Sequence, residues 1–137
     1  MTSIRAKRMG VLLAEDEPGI LFTFSAILQE QGYQVDTAST YAEADERMQA
    51  RKYDAVIVDL NMERTGLGLE LARQAKELKP PPAVVIYTGY PTLEQLRAAL
   101  ALRVDYLALK PVDLEEIKAA LHRLVTRRAV NLERALA

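Results

Sequence analysis

Three carboxylates, Glu15, Asp16 and Glu17, stand side by side in the stretch LLAEDEPG, directly after an apolar run. Like charges repel, and a buried carboxylate is costly unless it is paired or bound to a metal. Three further polar groups end apolar runs of the same kind: Asp59 in AVIVDL, Thr88 in AVVIYT and Lys110 after DYLAL. Two or three carboxylates with backbone carbonyls and waters suit Mg²⁺, a hard cation that takes oxygen ligands. A dication would offset the repulsion among Glu15, Asp16 and Asp59. Lys110 adds a compact positive charge on a flexible stem, and Thr88 one hydroxyl donor. Metal, ammonium and hydroxyl converging on one carboxylate are what phosphoryl transfer requires, since its catalysis is mostly positioning and charge stabilisation. A carboxylate at that point can be the nucleophile and form an acyl phosphate.

The elements that must hold these groups alternate between strand and helix. VLLA (11–14), YQVDTA (33–38), AVIVDL (55–60), AVVIYT (83–88) and DYLAL (105–109) read as strands; YQVDTA is the most polar and suits a sheet edge. Pro18 can open a helix carrying Leu21, Phe24 and Leu28 at helical spacing, and Gly32 supplies its stop. Thr40 with Glu43, Thr92 with Gln95, and Asp113 with Glu116 have capping-box spacing. A loop holding Gly66 and Gly68 precedes a helix ending near Leu78, which the prolines 80–82 close. In the helix after Thr92, the residues Leu93, Leu96, Ala99 and Leu100 are expected to face inward. The last helix can run from Leu114 to Ala137, longer than covering one sheet face requires.

Five strands alternating with five helices predict an α/β fold, a doubly wound parallel sheet covered on both faces. In such a sheet ligands bind beyond the carboxyl ends of the strands. That rule gathers Glu15, Asp16, Asp59, Thr88 and Lys110 at one end. It leaves Asp54, about 16 Å from Asp59 at roughly 3.3 Å per residue, and Asp105 at the other.

Composition agrees with a single globular domain: 137 residues, half of them hydrophobic, with a net charge of −1. That charge favours neither nucleic acid nor anionic membrane. Cysteine is absent, which excludes disulfides and thiolate metal sites. There is no apolar stretch of about 18 residues to span a membrane, and MTSIRAKRMG lacks the apolar core of a signal peptide. A cytoplasmic protein is the default expectation. Residues 1–9 read as a flexible terminus, 10–125 as the domain, and 126–137 as an extension of the last helix that could be a linker or a dimer helix.

The chain resembles the response-regulator receiver domains of bacterial two-component signalling over about residues 9–125. The likeness rests on EDEP after strand one, VDLNM ending strand three, YTGY ending strand four and LKPVD ending strand five. Each motif alone is weak; four in order at suitable spacing are specific. The resemblance implies a flavodoxin-like sheet of order 2-1-3-4-5. It implies that Asp59 accepts a phosphoryl group from a phosphohistidine on a sensor kinase or phosphotransfer protein. Mg²⁺ would be held by Glu15, Asp16, Asp59 and the backbone carbonyl of Asn61. Lys110 would contact the phosphoryl oxygens, with a cis peptide bond to Pro111, and Thr88 would move toward the phosphoryl group on activation. A homodimer on phosphorylation is a candidate consequence; direct nucleic-acid binding by this chain is not expected.

Three departures stand out. Glu63 replaces the proline that many receivers carry there, and GLGLEL is displaced by about one residue, so the loop after Asp59 has its own shape. The aromatic usually found three residues before the lysine is Leu107 here, with Tyr106 one earlier. Neighbouring strand residues face opposite sides, so Tyr106 cannot simply substitute. Asn61 and Tyr90 fall where the family tunes phosphoryl lifetime. The competing readings are a Mg²⁺-dependent phosphohydrolase, which would need an acid–base partner near Asp59, and a receiver-like module that never uses its phosphosite. His122, the single histidine, is expected to be a surface or packing residue, and the arginines Arg123, Arg127, Arg128 and Arg134 a solvated face.

Overall fold

A computed structural model describes residues 9–64 and 66–136; the expected flexible terminus falls almost wholly outside them. Five strands, β1 (Gly10–Ala14), β2 (Gln34–Ala38), β3 (Ala55–Asp59), β4 (Ala83–Thr88) and β5 (Tyr106–Leu109), alternate with α1 (Pro18–Glu30), α2 (Tyr41–Ala50), α3 (Leu67–Glu77), α4 (Leu93–Ala101) and α5 (Leu114–Leu136). All strand pairs are parallel and the order is β2-β1-β3-β4-β5, with the polar β2 at one edge as expected.

Period-two alternation of apolar side chains divides the core in two. Val56, Val58, Val84 and Ile86 pack beneath the helix face carrying Ala44, Leu71, Ala72 and Ala99. Ala55, Ile57, Val85 and Tyr87 pack with Phe24, Leu28, Ile117 and Leu121 on the opposite side. Both faces of the central strands are therefore buried, which is why β3 and β4 read as continuous apolar runs.

Register sets the site. Ala14 pairs with Val58, and Asp59 with Tyr87, so the residues just past Ala14 stand level with Asp59. At the other end of the sheet the two bystander acids have structural work. Asp54 accepts from the Gly10 amide and pairs with Arg128, whose guanidinium also donates to the Pro81 carbonyl. Arg128 is thus no solvated arginine: its side chain is 16% exposed and it fastens α5 to the sheet. Arg123, Arg127, Arg134 and His122 are exposed as expected. Asp105 accepts from the Val84 amide and lies near Lys76.

Three local expectations change. Gly68 lies inside the first turn of α3, not in the preceding loop; the helix starts at Leu67 behind Gly66, whose φ of 97° suits glycine. Of the three capping boxes only Thr92–Gln95 closes in both directions. Glu43 turns back to Ser39 and Glu116 accepts from Tyr106, although Thr40 and Asp113 still cap their helices. In α4, Leu93 and Leu100 are 63% and 75% exposed, while Gln95 and Ala99 face inward. The Lys110–Pro111 bond is cis, as is Lys79–Pro80.

Candidate functional site

Four of the five strands, β1, β3, β4 and β5, bring a polar residue at or just past their carboxyl ends to the same place. Glu15 follows β1 and is fully buried; Asp16, one residue on, is exposed. Glu17 belongs to α1 instead, where its carboxylate accepts from the amides of Gly19 and Ile20 as the N-cap. Asp59 ends β3, 6% exposed, and Thr88 ends β4, fully buried.

Asp59 is the meeting point. Its Oδ2 accepts from Lys110 Nζ at 3.2 Å and its Oδ1 from the Asn61 amide at 3.2 Å. Lys110 Nζ also lies 3.9 Å from a Glu15 oxygen, so one cation serves two carboxylates. The lysine is held over the Tyr87 ring, 5.1 Å from its centroid. Thr88 lies across from Asn61, whose side-chain amide donates to Thr88 Oγ1 at 3.4 Å. One carboxylate oxygen from each of Glu15, Asp16 and Asp59 falls within 4.8 Å of the others. A set of hard oxygen donors, two of them buried and one open to solvent, fits a hard divalent cation.

The site recruits two further residues, Tyr87 within the YTGY stretch and Glu63 just past VDLNM. The Tyr87 hydroxyl donates to Glu15 Oε1, while the Glu17 amide donates to Oε2 at 3.0 Å. Burial pushes the Glu15 carboxyl above the usual carboxylate range. The Asp59 charge adds to the rise; those two hydrogen bonds and the Lys110 charge oppose it. Burial and the bond to Glu15 push the Tyr87 phenol up as well, so it stays a donor. The signal was available in AVVIYT: a tyrosine in a buried strand needs a partner for its hydroxyl. Tyr87→Phe, which leaves a buried carboxylate oxygen unpaired, is expected to lower stability by about 1–3 kcal/mol. A urea midpoint that falls at unchanged slope would show it; an unchanged midpoint would show that Glu15 is satisfied otherwise.

Glu63 is the second. Its φ is 61°, its amide donates to Asp16 Oδ2 at 2.8 Å, and its carboxylate accepts from the Tyr41 amide at the start of α2. The loop after Asp59 therefore closes over Asp16. Tyr106 packs on the α1–α5 side and donates to Glu116. Leu107 packs on the opposite side of the sheet with Val84 and Ile86, the β4 residues that share a face with Thr88. The strand is unshifted, so Tyr106 does not take the place of Leu107.

Comparison with known proteins agrees on one family. The family model described as "Response regulator receiver domain" matches residues 11–122. The alginate biosynthesis transcriptional regulatory protein AlgB of Pseudomonas aeruginosa is 32% identical over 121 residues, covering 88% of this chain and 26% of that protein. The photosynthetic apparatus regulatory protein RegA of Cereibacter sphaeroides is 32% identical over 112 residues, 81% of this chain and 60% of its own length. The chain thus spans about a quarter to three fifths of the curated relatives it matches. A CheY-like receiver domain from Methanospirillum hungatei superposes with a TM-score of 0.83 at 23% identity, covering 90% of this chain and 98% of that one. A Burkholderia pseudomallei response regulator, solved with a phosphorylated aspartic acid, calcium and citrate, gives 0.76 at 28% identity over 94% of this chain and 74% of that one.

Proposed function

Because the chain belongs to the response regulator receiver family, a phosphoacceptor signalling domain of two-component systems, we propose that Asp59 is its phosphoacceptor. The observation that carries the assignment is the convergence on Asp59 of Lys110, Asn61 and the partner acids Glu15 and Asp16.

In this reading a carboxylate oxygen of Asp59 attacks the phosphorus of a phosphohistidine on a sensor kinase or phosphotransfer protein. The new P–O bond forms as the P–N bond breaks, and the imidazole leaves with the electron pair. Lys110 balances the charge on Asp59 beforehand and follows it onto the phosphoryl oxygens. Thr88, buried beside Asp59, supplies a hydroxyl to one of those oxygens. Glu15, Asp16, Asp59 and the Asn61 carbonyl would hold Mg²⁺, which neutralises phosphoryl charge when bound. An open groove of about 540 Å³ runs from Lys110 between α1 and the loop at Pro111, lined by Ile20, Phe24 and Leu114. Its apolar walls beside the phosphoacceptor suit a helix of the donor protein.

In this reading the chain would turn over nothing beyond its own phosphorylation and dephosphorylation. Residues 10–125 would form the receiver, with the rest of α5 leading to an output or a dimer contact. Among the described residues no helix is long and apolar enough to cross a membrane, and action in the cytoplasm is the reading that fits. The relative AlgB, a transcriptional regulatory protein by name, suggests a DNA-directed output elsewhere in the protein or in a partner.

Acetyl phosphate with Mg²⁺ tests the assignment. Wild type is expected to gain the mass of one phosphoryl group, Asp59→Asn to gain none, and a chelator to abolish the gain. Equal labelling of Asp59→Asn would refute it, and steady release of phosphate from varied phosphoesters would favour a hydrolase.

A further inference from the structure

We propose that Gln95 is a positioning residue that couples the phosphoacceptor pocket to the N-terminus of α4, an inference that rests on Asp59 being the phosphoacceptor.

Gln95 occupies an inward position of α4, 7% exposed, while Leu93 and Leu100 of the same helix face solvent. An amide in place of an apolar side chain is costly in a core unless both its ends are bonded. Both are. Its Oε1 accepts from the Thr92 amide at 2.9 Å, closing the cap of α4. Its Nε2 donates to Asn61 Oδ1 at 3.0 Å. The polarity is fixed from one end. A backbone N–H can only donate, so Gln95 must present its oxygen to Thr92 and its NH₂ to Asn61. Asn61 must then present its own NH₂ to Thr88, as it does.

The result is one continuous chain of hydrogen bonds. The Asn61 amide holds Asp59 Oδ1 and its side chain touches Thr88; Gln95 holds Asn61; and Thr92 at the start of α4 is held by Gln95. The weak link is the bond from Asn61 to Thr88, long at 3.4 Å. A phosphoryl group on Asp59 brings acceptor oxygens beside the Thr88 hydroxyl and replaces the carboxylate that the Asn61 amide holds. Both changes act on Asn61, and Asn61 transmits them to Gln95. The alternative route through β5 has no polar relay, because Leu107 faces the Thr88 side of the sheet and the Tyr106 hydroxyl is engaged with Glu116. The state of Asp59 is therefore read at the first turn of α4.

Two variants separate coupling from capping. Gln95→Met keeps length and removes both amide bonds; Thr92→Ala removes the reciprocal arm of the same cap and leaves Gln95 bonded to Asn61. Each is treated with acetyl phosphate and Mg²⁺. Incorporation is read by intact mass, and amide hydrogen exchange over residues 92–96 is read with and without phosphorylation. Gln95→Met is expected to accept phosphoryl within about twofold of wild type but to show no phosphorylation-dependent change in exchange. Wild type and Thr92→Ala are expected to change about threefold or more. A wild-type response in Gln95→Met overturns the proposal, as does a response lost equally in Thr92→Ala, which would make Gln95 a cap only. If wild type takes no phosphoryl group, the phosphoacceptor reading fails and the coupling falls with it.

Discussion

In an Asp16→Ala variant, Mg²⁺ affinity is expected to fall about 100-fold, about 2.8 kcal/mol at 1.4 kcal/mol per decade, and phosphorylation by acetyl phosphate at limiting Mg²⁺ is expected to fall with it. The reason lies in how the three acids are held. Glu15 is fully buried with both oxygens engaged, by Tyr87 and by the Glu17 amide. Asp59 shares its oxygens with Lys110 and Asn61. Asp16 alone is open to solvent, and its only described hydrogen bond is from the Glu63 amide, itself an exposed group that water can satisfy. Removing Asp16 would thus take away a proposed ligand at little cost to the fold. Metal titration followed by a spectroscopic probe, with a thermal melt as control, separates the two effects. An Asp16→Ala chain that binds Mg²⁺ and takes phosphoryl normally would remove Asp16 from the site and leave its neighbour Glu63 to explain the loop.

Gly68→Ala is expected to destabilise the domain by about 3 kcal/mol, which lowers the melting temperature by about 10 °C for a chain of this size. Two effects compete. Alanine is the better helix former by about 1 kcal/mol, and Gly68 is in a helix. Against that, a Cβ at Gly68 would lie 2.5 Å from the Asp59 carbonyl oxygen and 2.6 Å from Leu60 Cα, with the Leu60 carbonyl closer still. All three are backbone atoms, so no side chain can rotate away; α3 or the end of β3 must shift. The clash wins. The shift would reach Asp59 itself, so phosphorylation should fall as well. A melt equal to or above that of wild type would show that α3 has room to move.

Much of the fold was written in the sequence, because it depends on short-range pattern. β-Branched runs, proline and glycine stops and the Thr92–Gln95 cap are local signals, and β4 spans the very residues 83–88 that its apolar run marks. The parallel sheet follows from alternation, and with it the gathering of strand ends. Helix facing was less legible. In α4 the hydrophobic residues outnumber the inward positions, so period alone could not tell that Leu93 and Leu100 lie outside and Gln95 within. Arg128 shows the converse: a charge on a polar helix face reads as solvated until Asp54 and the Pro81 carbonyl, far away in sequence, meet it.

The chemistry divides the same way. Residue type and position at a strand end suffice to nominate Glu15, Asp16, Asp59, Thr88 and Lys110, because a buried acid cluster needs a counter-charge wherever it is built. Glu17, directly before the helix-opening Pro18, serves α1 as its N-cap and stands apart from the other two acids. What holds the site in place is non-local. Tyr87 reaches Glu15 from 72 residues away, Glu63 reaches Asp16 from 47, and Gln95 reaches Asn61 from 34. Hydrogen bonds of that kind depend on the register of β1, β3 and β4 and on the rotation of α4 about its own axis. Sequence determined which groups this protein brings to its phosphoacceptor. Tertiary structure decided which atoms of those groups remain free, because only packing fixes which donor each buried oxygen meets.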